Sequence, residues 1–235
     1  LPTKGLGLLL SHAMGGTIQT SGTYTLGDVY GKSFTAQVGV PQYGGTVTPK
    51  TIAGCKISSW EIAATQGAIA TGRFTVDGAS FTTGTALATA SFPANNSVFH
   101  FAQGSITIDG TAVANIKDFT LTVDNVLKTD RYNLGSAGIK AEQVINGFRA
   151  ISGNMNVEFT DTTLLTKFLA DTSAAVVLSF AGTGSSVLSI TLPAVKFDGE
   201  APQVGGPEVI DINFSFEAYD NGTDAPLTIV YTPTA

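Results

Sequence analysis

A single cysteine and two histidines among 235 residues leave little for thiol or soft-metal chemistry. One thiol, Cys55, excludes an internal disulfide framework and a cysteine-rich zinc site, and it is expected to pack as a small apolar side chain. His12 and His100 stand far apart without an HxH or HxxxH partner. His100, inside Val98-Phe99-His100-Phe101, reads as structural. No apolar run approaches the roughly eighteen residues of a spanning helix, so no membrane insertion is expected. The opening LPTKGLGLLLSHAMGG is apolar only near Leu8–Leu10 and has no basic lead-in, so it is not read as a signal peptide. It also lacks an initiator Met, and the chain is expected to be a processed product or part of a longer protein. No Gly-x-Ser-x-Gly elbow appears. Gly5-Leu6-Gly7 and Gly182-Thr183-Gly184 lack the rest of a phosphate loop, and the acid pair Asp198/Glu200 sits in a Gly/Pro-rich stretch rather than on a rigid wall. No catalytic, cofactor-binding or metal-binding residue is assigned, and an enzyme is not expected.

Charge is the next scarcity. Only 13% of residues are charged, against about a quarter in ordinary soluble domains, while 43% are hydrophobic. A neutral surface rich in Thr, Ser, Gly and Ala does little to keep molecules apart, which points to a protein that assembles. The net charge of −6 argues against a nucleic-acid grip, because that affinity comes from Lys and Arg displacing counterions. The distribution is uneven. From Asp198 onward every charged residue is acidic, whereas Val126–Arg149 holds Lys128, Arg131, Lys140 and Arg149 against only Asp130 and Glu142.

What remains is β patterning in a single domain over 1–235. Residues 1–50 read as an N-terminal arm and first strand, with Gly5–Ala13 either a helical turn or a loose arm and Ser33–Val40 a strand. Cys55–Ala64 and Ala68–Val76 form a hairpin across Gln66-Gly67, and the alternation slips between Ile57 and Trp60 as a bulge would require. Ala79–Asn96 reads as a surface loop, and Ser97–Ala102 and Ser105–Ile108 as short strands. In Ile116–Val126 the inward set is Phe119, Leu121 and Val123. Residues 127–146 form a polar excursion too long for a hairpin turn. Phe148–Thr160 resumes the sheet, and Asp161 caps a short helix carrying Leu164, Leu165, Phe168 and Leu169. Ala174–Phe180, Ser186–Leu192, Ala194–Phe197, Val209–Ala218 and Pro226–Tyr231 complete about ten strands. The expected fold is mainly β: an antiparallel sandwich or partly open barrel with one short α-helix. Its core is expected to hold Trp60, Phe74, Phe119, Leu121, Phe159, Phe168, Phe214 and Phe216.

The order of these pieces resembles the major tail tube proteins of long-tailed bacteriophages. The resemblance is carried by GLGLLLSHAMGG, TPKTIAGCKISSWEI, GRFTVDG, FHFAQGSITIDG, IKDFTLTVDNVL, the loop RYNLGSAGIKAEQVINGFRAISGNMNVEFTD and the helix LLTKFL, and it covers nearly the whole chain. It implies a β-sandwich flanked by a helix, built into six-membered rings that stack as a hollow tube for the genome at ejection. The same fold serves contractile tails and type VI secretion tubes. The implied place is the virion tail, assembled in the bacterial host cytoplasm. The implied partners are further copies of the chain, a tape measure protein and tail tip or terminator proteins, with DNA passing through unbound. Members of the family usually carry an upstream segment, and this chain is expected to begin part-way in.

Physical argument agrees with that implication. A ring that continues each sheet into the next subunit removes unpaired edges. An acidic or neutral wall repels phosphate and lets DNA slide. The polar face Asp211, Asn213, Ser215 and Glu217 is the candidate lumen wall, with an outer solvent face as the alternative. The bases Lys128, Arg131, Lys140 and Arg149 are candidate contacts to an acidic patch on the adjacent ring. A different reading is a carbohydrate-binding or adhesin-like sandwich, for which Tyr24, Tyr30, Tyr43 and Tyr132 would supply aromatics. A capsid decoration, tail decoration or sheath protein is a nearer variant.

Overall fold

The computed structural model describes residues 1–199, 202, 206–207 and 209–233. Its elements in the first half are α1 (Gly7–Met14), β1 (Gly22–Thr25), β2 (Phe34–Pro41), β3 (Val47–Thr65), β4 (Thr71–Asp77), β5 (Ser80–Thr82), β6 (Gly104–Ile108), β7 (Thr111–Val113) and β8 (Ile116–Asp124). The second half holds β9 (Leu127–Lys128), β10 (Val144–Ile145), β11 (Ala150–Glu158), α2 (Thr163–Leu169), β12 (Ala174–Ala181), β13 (Val187–Gly199), β14 (Asp211–Ala218) and β15 (Thr228–Thr232). Thirteen strands make one antiparallel sheet whose path runs β2-β3-β8-β11-β14-β13-β12-β6-β7 and does not close. The fold is therefore mainly β, as the alternating pattern requires, with more strands than the ten counted from sequence.

The sheet folds over so that both of its halves face one core. Phe119 and Phe216 stack at 5.4 Å, Phe214 meets Phe168 at 6.4 Å and Phe197 at 6.2 Å, and Trp60 stacks on Phe74 at 6.5 Å. Trp60, Phe119, Leu121, Phe214 and Phe216 are buried, while Phe74, Phe159 and Phe168 are half-buried against the same cluster. Gly153 on β11 permits the closest of these approaches: a Cβ there would stand 2.3 Å from the Phe216 ring.

β3 is the longest strand, and it changes partners half-way. Its first half pairs with β2 and β5, its second with β4 and β8. The changeover falls at Gly54, whose φ of +66° favours glycine and bends the strand out of the body. Beyond that bend β2 and the start of β3, apart from buried Thr51, are exposed or half-exposed on both faces, a projecting hairpin. Past it the register slips between Ile57 and Ser59, the bulge expected from the sequence.

Four expectations are corrected. There are two α-helices rather than one: Gly7–Met14 is helical because Leu10, Ala13 and Met14 all find apolar cover. Ser97–Ala102 is not a strand. It makes single bridges from Val98 to Pro2 and from His100 to Ile69, then turns, with the His100 ring accepting from the Ala102 amide at 3.3 Å and Gln103 accepting from the His100 amide at 3.0 Å. Ala79–Asn96 is not all loop, since Ser80–Thr82 pairs with β3. The excursion 127–146 is closed at its base by β9 and β10.

Asn125 ties α1 to this frame. It is fully buried, donating from Nδ2 to the carbonyls of Ala13 (3.0 Å) and Ile57 (2.9 Å), while its amide donates to Ser58 across the bulge (2.8 Å). Replacing it with Ala leaves two buried carbonyls unpaired, so Asn125→Ala is expected to lower unfolding stability by about 1–3 kcal/mol in urea titrations.

Candidate assembly surfaces

Cross-strand register turns the alternation of β14 into a wide polar surface. Ser152 lies opposite Glu217, Asn154 opposite Ser215, Asn156 opposite Asn213 and Glu158 opposite Asp211. On the other side of β11 the same residues face Thr122, Thr120 and Asp118 of β8, and those face Glu61, Ala63 and Thr65 of β3. The outer face of β4-β3-β8-β11-β14 and the end of β13 is thus a continuous field of short Thr, Ser and Asn side chains. Its carboxylates (Glu61, Asp118, Asp124, Glu158, Asp198, Asp211, Glu217) outnumber its cations (Arg73, Lys117, Lys196). The four residues singled out on β14 are all exposed and share this face. Asp211 is neutralised locally by Lys117 at 2.6 Å, which also reaches Glu158 at 3.4 Å, and that contact raises the Lys117 pKa. Glu217 has no cation partner among the described residues. Glu200 and Glu208 of the acidic tail lie outside the described residues.

The four bases of Val126–Arg149 are less free than their spacing suggests. Lys140 is 2.6 Å from Asp77 of β4, Arg131 donates to the Glu142 carbonyl, and Arg149 donates to the Gly27 carbonyl. Burial pushes the Arg149 guanidinium below its ordinary pKa. Only Lys128 stands well into solvent, beside Asp130 at 2.9 Å.

What fixes the excursion is a residue the sequence did not single out. Lys56, next to Cys55 on β3, is 2% exposed. Its ammonium has three donors and three acceptors: Glu142 Oε1 at 2.5 Å, the Gln143 carbonyl at 2.8 Å and the Val29 carbonyl at 2.8 Å. Glu142 also accepts the Gly31 amide at 2.6 Å, and Gln143 donates to Asp77 at 2.8 Å. Arm, excursion and hairpin therefore meet at one buried cation. No periodicity could have revealed it, because a Lys in an alternating strand reads as a solvent-facing position.

Among the described residues no cluster of three or more His, Cys, Asp or Glu could hold a metal. Among the described residues no helix is long and apolar enough to cross a membrane. A cleft of about 610 Å³ beside α2 contains Asp109, which is bound to Lys167 and the Ala175 amide and so held below the usual carboxylate range. Of the tyrosines considered for carbohydrate, Tyr24 is 2% exposed and cannot contribute; Tyr30, Tyr43 and Tyr132 are exposed on three different segments.

The chain is thus an open antiparallel sheet with one broad polar face and a projecting hairpin. A family model described as phage tail tube protein matches residues 1–218, and the chain belongs to that family. It is a structural component of a viral tail. A search of curated proteins finds no match to the chain.

The Lys56 contact generates a pH prediction. Its hydrogen bond holds the Glu142 carboxyl below the ordinary value of 4.5, so the linked stability is present above that pH and is lost as pH falls through the lower folded value. Glu142→Gln is expected to flatten this part of the acid denaturation profile. Lys56→Met leaves the Val29 and Gln143 carbonyls unpaired and is expected to cost about 2 kcal/mol or more at pH 7, with amide exchange accelerating in both the arm and the excursion.

Proposed function

We propose that the chain forms six-membered rings that stack into the hollow tube of a phage tail, through which genomic DNA leaves at ejection. The observation that carries this reading is the outer face of the sheet, polar across six strands and bordered by unpaired strand edges. Such a face suits a conduit: short neutral side chains offer phosphate no positive charge to pair with, and the carboxylate excess repels it. In this reading Asp211, Asn213, Ser215 and Glu217 face the lumen. Continuing the sheet from copy to copy satisfies the edges that a lone subunit leaves open.

The excursion 127–146 projects its tip toward the adjacent ring, with Lys128 the base best placed to meet an acidic partner there. Exposed ion pairs are individually weak, so such contacts set register more than affinity. Lys140 and Arg149 act within their own subunit, Lys140 holding the excursion to β4 and Arg149 holding the N-terminal arm. The tube surrounds a tape measure protein and ends on tip and terminator proteins, and it is assembled in the host cytoplasm before entering the virion.

Electron microscopy of the purified protein, or of its parent particle, is expected to show rings or striated tubes; a chain that stays monomeric at high concentration with any upstream segment restored contradicts the reading. Substituting Asn213→Lys together with Glu217→Lys should leave tubes intact while slowing genome release, because two cations per subunit then face the phosphates. Replacing Asn133–Ile139 with a short Gly-Ser turn, which spares the Lys56 partners, is expected to leave a folded subunit that stacks poorly.

A further inference from the structure

We propose that neighbouring copies join through one specific strand pair: the free edge of β4 in one copy against residues Lys196–Gly199 of β13 in the next, with Arg73 opposite Asp198. This rests on the ring reading above and adds to it which edges meet and in what register.

Among the described residues neither edge has a second strand partner: β4 pairs only with β3. β13 leaves β12 after Val195, and from Lys196 to Gly199 its one strand partner among the described residues is β14. Direction also fits. Every neighbouring pair along β4-β3-β8-β11-β14-β13 is antiparallel, so the two borders of this six-strand layer run in opposite senses. Head-to-tail addition of a second copy then brings β13 and β4 together antiparallel. A layer ending at β14 would have joined them parallel, in a sheet otherwise wholly antiparallel.

Register follows from charge and shape. Arg73 is exposed and has no ion-pair partner among the described residues; it lies opposite Glu61, so it projects from the polar face. Asp198 is exposed on that same face, and its carboxylate accepts only the neighbouring Gly199 amide, while Lys196 is already paired with Asp171 at 2.7 Å. Setting Arg73 against Asp198 places Phe74 against Phe197 on the core side and Gly72 against Gly199. Phe74 is half-buried beside Trp60 and Phe197 is buried on the same core side, so this register sets apolar against apolar across the junction. Slipping the register by two residues one way sets Lys196 against Arg73, like on like. Slipping it the other way directs Lys196 to Asp77, already held by Lys140. One register alone satisfies both faces.

Charge reversal tests this. Arg73→Glu and Asp198→Arg should each lower ring yield about tenfold or more, because each places like charges across every junction of the ring. The double variant should restore rings. In a second arm, Thr75→Cys combined with Lys196→Cys should give a ladder of disulfide-linked oligomers under oxidation, whereas Thr71→Cys with Lys196→Cys should not. Rings unaffected by either single reversal, or cross-links formed equally by both cysteine pairs, would overturn the edge and register while leaving the ring reading intact. Failure of the unaltered protein to form rings would sink both.

Discussion

One strand has to live in two solvents, and the remaining architecture depends on how it manages. β3 runs in water for its first half and in the core for its second, and its backbone cannot serve both without a break in direction and a shift in register. Gly54 supplies the first and the bulge at Ser58 the second. The bulge re-aims the side chains so that Ile57, Trp60 and Ile62 are all buried. It also leaves the Ile57 and Ser58 carbonyls turned toward Asn125, which collects them and joins the C-terminal end of α1 to the sheet. Helix, hairpin and core layer are thereby set by a few residues around one irregularity.

The same irregular region decides what the subunit shows to its surroundings. Strand alternation alone would produce a sheet with one wet face, as in many sandwiches. Here the wet face is broad, short-chained and poor in Lys and Arg, and the dry face supports it with packed aromatic rings from β8, β11 and β14. A surface of this kind is poorly suited to holding a ligand and well suited to letting one pass. Membership of the phage tail tube family gives that physical character its context.

How much of this was legible depended on whether a feature was periodic. The inward sets of β8, β11 and β14 repeat every second residue, and the structure buries Phe119, Leu121, Met155, Ile212, Phe214 and Phe216 accordingly. The slip before Trp60 was legible because it interrupts such a pattern. Features resting on distant partners were not. α1 reads equally as a helical turn or a loose arm until Leu10 and Met14 find their cover, and a three-residue strand such as β5 has no pattern of its own. Lys56 needed Glu142 and Gln143, more than eighty residues away, to become an interior residue. The polar face was half visible: the row on β14 could be read, but its merger with rows from β11, β8 and β3 is a matter of register.

The buried ammonium of Lys56 has a further consequence, which concerns entropy. A loop of some twenty residues that stayed loose in the free subunit would have to be ordered on meeting a neighbour, at about 1–2 kcal/mol per residue of backbone. Fastened through Glu142 and Gln143 at its returning strand, and closed at its base by β9 and β10, the excursion has already surrendered much of that freedom during folding. Association can then proceed as the meeting of two stiff bodies, with fewer degrees of freedom left to quench at each added subunit.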